Sequence, residues 1–461
     1  MDRYSWIESV ESNARTYAST FRTVFQDGQG MVVRDTSGRE IIDCLACAGA
    51  LPLGHNHPEV REQLVAFIAS GHIQQALDLS TPAKYRFLEE LYSTLPPALA
   101  SNAKVHFCGP SGSDAVEAAM KLVRHATRRH SIIAFHGAYH GMTSGALGAM
   151  GNLVPKTGIN TLGSAVHFVP FPYRYRCPFG TNGENTDQLS IGYLRTVLSD
   201  PESGITKPAG VLVEAVQGEG GCIPASVEWL RELRTLTREF DIPLILDEVQ
   251  TGFGRTGRMF AFERAEIVPD VLVLSKALGG GHPLAALVYD ARFDTWPRGM
   301  HAGTFRGNQI AMVAGRVTME IIRRDRLDRR AEEMGAVFAA GLRQLATKYP
   351  SLGDVRGQGL MIGVEVVRPA PGRLAGAPDG ELASQIRLAA FDHGLLIETG
   401  GRNGAVLRFL PPLIISNSEI AEILLRLERS VLVASETVAA LRGESRKTDA
   451  SVVRAAVGAN K

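Results

Sequence analysis

This chain carries almost no excess of either charge. Lysine and arginine number 49 against 48 aspartates and glutamates, a net charge of +1. A protein that holds nucleic acid by bulk charge needs a basic surplus to release counterions, so that class is excluded. A disordered chain is excluded too, because it would pair a larger net charge with fewer apolar residues than the 45% present here. Cysteine is scarce. The five residues, Cys44, Cys47, Cys108, Cys177 and Cys222, are odd in number and fit a reducing, cytoplasmic setting. Cys44 and Cys47 form a lone CxxC. A zinc site would want a second pair, so no metal is expected and both thiols read as small buried hydrophobes. No apolar run approaches the roughly 18 residues of a membrane span. The first residues, MDRYSWIESVESNAR, lack the basic start and apolar core of a secretory signal.

Glycine, by contrast, is abundant, at 48 of 461 residues. Without collagen or linker periodicity, such glycine implies tight turns or backbone that must approach a ligand closely. The length implies more than one core-forming unit. GMVVRDTSGREIIDCLA reads as a hairpin turning at Asp35–Gly38, and Asn56 and Pro58 mark the start of a helix. From residue 104 strands and helices alternate. KVHFCG, SIIAFHG, GVLVEAV, PLILDEV and DVLVLSKA are short apolar runs of the kind buried on both faces of a parallel sheet. Asp114 to Arg129 and residues 229–240 have helical spacing. This βαβ rhythm predicts an α/β fold with a doubly wound sheet. After residue 310 one long helix to Tyr349 leads to DVRGQGLMIGVEV, a strand pair, and then to a helix and further strands, the pattern of a smaller α+β unit. Residues 369–380 read as a loop, and the last residues as a frayed tail.

The chemistry gathers at strand ends. Lys276 closes the run VLVLSK just before Gly279–Gly281. Burying an unpaired ammonium is costly, and open α/β sheets bind ligands at the carboxyl ends of their strands. Such a lysine can have a lowered pKa and form a Schiff base, although a snorkelling surface lysine would satisfy the same pattern. Asp247 ends PLILD in the same manner and needs a cationic partner. A lysine and an aspartate in these places fit a pyridoxal phosphate site, where a carboxylate meets the ring nitrogen. Asp247 could instead cap the turn that follows it. Ser111, Gly112 and Ser113 lie between a strand and a helix, where backbone N–H groups favour phosphate, or where they form an ordinary helix cap. Tyr139, in FHGAYHG, could stack on a pyridine face or serve as a loop aromatic.

Taken in order, SGSDAVEAAMKLVR, FHGAYHG, VEAVQGEGG, LILDEVQTGFGRTG, LSKALGGG, HAGTFRGNQIA and VLRFLPPL resemble a class III aminotransferase, a pyridoxal-phosphate enzyme of fold type I. The segments ESNARTY, YHGMTSGALGAMGN, PYRYRCPFG and DPESGI add a closer similarity to the diaminobutyrate–2-oxoglutarate aminotransferases. The resemblance implies a large doubly wound, mainly parallel sheet domain over 66–318. It implies a smaller α+β domain built from residues 1–65 and 319–435, and a flexible tail over 436–461.

It also implies roles. Lys276 would bond covalently to the cofactor and carry the proton. Asp247 would keep the ring nitrogen protonated, and Gln250 would bind the ring hydroxyl. Ser111, Gly112 and Ser113 would hold the phosphate, Tyr139 would stack on the ring, and Glu214 would be an acid nearby. Thr304 would reach the partner subunit's cofactor, so a homodimer follows. Arg408 would bind the α-carboxylate of glutamate or 2-oxoglutarate, and Glu219 would pair with Arg408 whenever an ω-amine is bound. One position departs: where related enzymes for γ-aminobutyrate and ornithine carry an arginine after the YHG motif, this chain has Met142. Arg174 and Arg176 are then the candidates for a distal carboxylate.

The expected reaction moves the terminal amino group between L-2,4-diaminobutyrate and 2-oxoglutarate, giving aspartate 4-semialdehyde and L-glutamate. It would serve siderophore, antibiotic or osmolyte synthesis. Other ω-amine aminotransferases (ornithine, acetylornithine, γ-aminobutyrate), a pyridoxal-phosphate aminomutase or racemase, and a non-catalytic scaffold are the alternatives.

Overall fold

The apolar runs of the central region become strands because β-branched residues fill them and neighbouring layers cover both faces. The computed structural model describes residues 2–159, 165–370 and 375–443. Seven runs form one sheet: β1 (Ala103–Phe107), β2 (Ile132–Phe135), β3 (Val166–Val169), β4 (Gly210–Val213), β5 (Leu244–Asp247), β6 (Val271–Leu274) and β7 (Ala286–Asp290). Their order across the sheet is β1-β7-β6-β5-β4-β2-β3. Only β7 runs against the rest, pairing antiparallel with β6 and β1. This is the expected α/β architecture.

The helix Gly112–Thr127 starts where Ser111 Oγ accepts the Asp114 N–H at 3.2 Å. It buries Val116, Met120 and Val123 on the sheet, the face that its apolar spacing implies. The helix Val227–Glu239 is capped by Ser226 and buries Trp229, Leu230, Leu233 and Leu236. Fully burying one such side chain is worth about 1.5–3 kcal/mol.

Two smaller sheets flank this unit in the chain. Phe25–Gln29, Val32–Asp35 and Glu40–Asp43 form an antiparallel meander, and Leu395–Leu396 joins it parallel to Glu40–Asp43. N- and C-terminal segments therefore share a sheet. Leu352–Gln358, Met361–Arg368, Val406–Phe409 and Glu398–Gly400 form the other, with Ala377–Pro378 on Met361–Arg368.

Several expectations are corrected. The helix read over 310–349 is two, Gln309–Arg324 and Leu327–Lys348, because Arg326 takes a left-handed φ of 50°. The break falls in the charged run Arg323–Arg326, where no apolar stripe ties the two into one rod. The run 210–216 leaves the sheet at Val213, and Val216–Gln217 turns away to pair with Ile223–Pro224. Cys44 is buried, but Cys47 is exposed. It sits in a turn where Ala46, Cys47, Ala48 and Gly49 all have positive φ, which points its side chain away from the core. Within the expected loop 369–380, residues 371–374 lie outside the described residues. Helix Asn417–Leu441 continues past residue 435, with Val438 buried in the core, and the rest of the expected tail from residue 444 lies outside the described residues.

Asp270, 3% exposed just before β6, accepts from Leu244 N–H at 2.8 Å and from Arg234 at 2.5 Å, and it pairs with Arg292. Asp270→Ala strands the buried Arg234 and is expected to lower stability by about 3–5 kcal/mol. Denaturant unfolding of the purified variant checks it, and a loss under about 1 kcal/mol would refute the role.

Candidate active site

The carboxyl ends of β1, β2, β4, β5 and β6 deliver the chemistry-bearing residues to one cavity of about 170 Å³. Its walls include Gly112, Ser113, Tyr139, Glu214, Glu219, Asp247, Gln250 and Lys276. Lys276 does not lie on β6 itself. The strand ends at Leu274, and Lys276 opens a tight turn with a left-handed φ of 48°. That turn carries the amine off the sheet edge into the cavity. Burial lowers its pKa, against the opposing pull of the Glu219 charge.

Asp247, the last residue of β5, is 5% exposed. Its Oδ2 lies 2.7 Å from His140 Nδ1, and its Oδ1 accepts the Val249 N–H at 3.0 Å. His140 is buried, and its Nε2 has no partner among the described residues. Glu214 follows β4 and accepts the N–H groups of Tyr139 and Gly218, each at 2.9 Å. Burial dominates there and pushes its pKa up to about 7. The local glycines fit tightly: a Cβ on Gly112 would lie 3.0 Å from Val249 Cγ1.

At one side of the cavity Glu219 Oε2 meets Arg408 Nη1 at 2.6 Å, with Arg408 only 1% exposed. Burial opposes both charges. The pair outweighs it, holding Glu219 below and Arg408 above their ordinary pKa ranges. Gln250 binds here as well. Its Oε1 accepts from Arg408 Nη2 at 3.2 Å and its Nε2 donates to Ala48 O at 3.1 Å.

Four expected residues stand apart. Ser111 is exposed, and its hydroxyl caps the helix instead of facing the cavity. Thr304 is exposed on the loop before Gln309–Arg324. Arg174 pairs with Asp187, and Arg176 pairs with Glu365, so neither guanidinium lines the cavity. Met142 is 54% exposed at the rim beside Gly141.

Tyr17 escaped sequence reasoning. Although Tyr17 is 43% exposed, burial of part of its side chain, followed by the Glu219 charge, raises its pKa to about 12. Its segment, ESNARTY, held no chemical signal, since Glu219 is far from it in sequence. Cys108, Asp114 and His301 bring three ligand-type atoms within 4.8 Å of one another, the one such group among the described residues. They are already engaged: Asp114 accepts from Gly109 N–H at 2.6 Å and lies 3.0 Å from His301 Nε2, and Lys121 Nζ stands 3.2 Å from His301 Nδ1.

Residues 13–431 match the family described as "Aminotransferase class-III". The chain belongs to the class III aminotransferases. A relative from Rhizobium meliloti named diaminobutyrate–2-oxoglutarate aminotransferase is 53% identical over 90% of this chain and 89% of its own length. One of the same name from Haemophilus influenzae is 44% identical, covering 93% and 94%. Among solved structures, an omega transaminase from Pseudomonas jessenii is similar at a TM-score of 0.83 and 25% identity over 95% of this chain and 100% of that one. The ornithine aminotransferase of Toxoplasma gondii is similar at 0.77 and 25%, covering 94% of each. The fold is accordingly that of fold type I pyridoxal-phosphate transaminases, and the protein is a pyridoxal-phosphate-dependent aminotransferase. The donor set fits that cofactor on its own chemistry: an amine of lowered pKa for an aldehyde, a buried carboxylate for a ring cation, and a long helix's N-terminus for a phosphate.

A pH prediction follows for Glu214. Its folded pKa, about 7, is above the ordinary 4.5, so the folded state binds the proton more tightly than the unfolded chain. The favourable term is complete below 4.5 and is lost as pH rises towards 7. The stability of the wild type relative to Glu214→Gln should therefore fall over that window and stay level above it. A difference that is flat with pH would exclude the shift.

Proposed function

We propose that the enzyme exchanges the terminal amino group of L-2,4-diaminobutyrate with 2-oxoglutarate, through the residues of this cavity. The observation that carries the reading is the Arg408–Glu219 pair beside Lys276, in a chain 53% identical to a relative named for that reaction. Such a pair gives one pocket two states. With an ω-amine bound, Glu219 keeps Arg408 neutralised. With glutamate or 2-oxoglutarate bound, the α-carboxylate takes the planar guanidinium fork and Glu219 rotates away.

When bound, pyridoxal phosphate supplies an aldehyde for the amino group and a ring that accepts the electron pair freed at the substrate carbon. Lys276 Nζ, with its pKa lowered by burial, would bond the aldehyde and carry the proton. Asp247 would hold a proton on the ring nitrogen, with His140 and Val249 fixing the carboxylate for that task. Tyr139 would stack on the ring, Gly112 and Ser113 would bind phosphate, and Gln250, which touches Arg408, would turn to the ring hydroxyl. Ser111 acts by shaping the helix start.

A homodimer completes the reading. Leu77, Leu79, Met142 and Phe305 are 52%, 62%, 54% and 59% exposed, apolar side chains that a second copy would cover. Thr304 lies beside Phe305 and would reach the cofactor of the second copy. The five unpaired cysteines support a cytoplasmic setting. No helix among the described residues is long and apolar enough to cross a membrane.

The test is a single half-reaction followed by cofactor absorbance. L-2,4-diaminobutyrate is expected to change the spectrum at least ~10-fold faster than ornithine or γ-aminobutyrate. A faster response to either of these would reject the substrate. Lys276→Ala should abolish both the lysine-linked absorbance and turnover, a loss of about 10⁴-fold or more. Retained turnover would exclude this mechanism.

A further inference from the structure

The loop His136–Met142 after β2 carries Tyr139, and the loop Gly218–Cys222 carries Glu219. Two opposite charges stitch these loops together through backbone groups. On one side the Glu214 carboxylate accepts from Tyr139 N–H and Gly218 N–H. On the other the Arg402 guanidinium donates to Gly220 O at 3.0 Å and to His136 O at 3.3 Å.

Arg402 is an unusual cation. Glu365, the acid nearest in charge, is taken by Arg176 and Arg356, and among the described residues no carboxylate is within ion-pair distance of Arg402. Its guanidinium lies 5.2 Å from the Tyr173 ring centre, a cation–π contact. The fit is close. A Cβ on Gly137 would stand 2.5 Å from the Arg402 nitrogens, and one on Gly220 would stand 2.5 Å from Gly137 O. The flanking carbonyls are held as well: Glu219 O accepts from Gly401 N–H at 2.8 Å, and Gly221 O accepts from Arg356 Nε at 2.8 Å. The backbone on both sides of Glu219 is therefore pinned, and its side chain is the part left to move.

We propose that Arg402 is a positioning residue that ties the Tyr139 and Glu219 loops into one frame, so that Glu219 exchanges on Arg408 by side-chain rotation over a fixed backbone. The inference rests on the reading of Glu219 given above. Loosening the frame lets Glu219 drift from Arg408, and this weakens the state that serves the ω-amine more than the state that serves glutamate.

The experiment uses full-length holoenzyme carrying Arg402→Met or Arg402→Lys, with two readouts. Hydrogen exchange is followed over residues 136–142 and 218–222, and single-turnover half-reactions are run with L-2,4-diaminobutyrate and with L-glutamate. In Arg402→Met both segments should exchange at least ~10-fold faster, and the diaminobutyrate-to-glutamate rate ratio should fall about 5–10-fold. Arg402→Lys, which can still donate to one carbonyl, should recover part of both effects, and it carries the test if the methionine variant does not fold. An unchanged ratio overturns the proposal, as does equal slowing of both half-reactions with exchange raised throughout the sheet. Glu219→Gln in the same assay separates the two layers. If it leaves the ratio unchanged, the reading of Glu219 fails and the proposal falls with it. If it shifts the ratio and Arg402→Met does not, only the positioning role fails.

Discussion

The Arg408 guanidinium, buried to 1% exposure, has Glu219 as its carboxylate partner. The rest of the site depends on that constraint. Arg408 sits on the strand Val406–Phe409 of a small sheet, and Glu219 sits on a loop reached from β4 of the large sheet. Their 2.6 Å contact joins segments far apart in sequence across the cavity that holds Lys276. A substrate carboxylate can replace Glu219 without leaving Arg408 unmatched. An amine end cannot, so Glu219 stays. One buried cation with two alternative acids is enough to admit two unlike substrates to one pocket.

Around this pair the charges are arranged to keep each group in a useful state. Burial lowers the pKa of Lys276 against the pull of the Glu219 charge. His140 Nδ1 and the Val249 N–H hold the Asp247 carboxylate in place although it is almost wholly buried. Glu214 and Arg402 bind backbone groups of the same two loops, so rigidity under the moving carboxylate comes from fixed peptide groups. The glycine excess has a local cause here. Gly137 and Gly220 leave room for each other and for Arg402, and both chain crossings would close if either gained a side chain.

The central sheet was legible because its strands are continuous apolar runs, which parallel strands covered on both faces must be. Lys276, Asp247 and Tyr139 drew attention because they follow the carboxyl ends of such strands, whereas Gln250 and Glu219 were named only through the family resemblance; all five line the one cavity. The break at Arg326 was not, since a charged run within a helical pattern does not announce a left-handed residue. Nor were Tyr17 and Arg402. Tyr17 feels the Glu219 charge from the first helical turns of the chain, and Arg402 reaches a loop from a segment 182 residues away. Arg174 and Arg176 lie outside the cavity lining and pair with Asp187 and Glu365, contacts that their neighbours in sequence do not announce.

The most direct measurement is a double-mutant cycle on the stability of the protein, with Glu219→Gln, Arg408→Met and the double variant. Glu219→Gln alone leaves a buried cation unmatched and should cost about 3–5 kcal/mol, most of it recovered when Arg408→Met is added. A coupling of at least about 2 kcal/mol is the expected result. Additive losses would contradict the claim that Glu219 is the acid Arg408 requires.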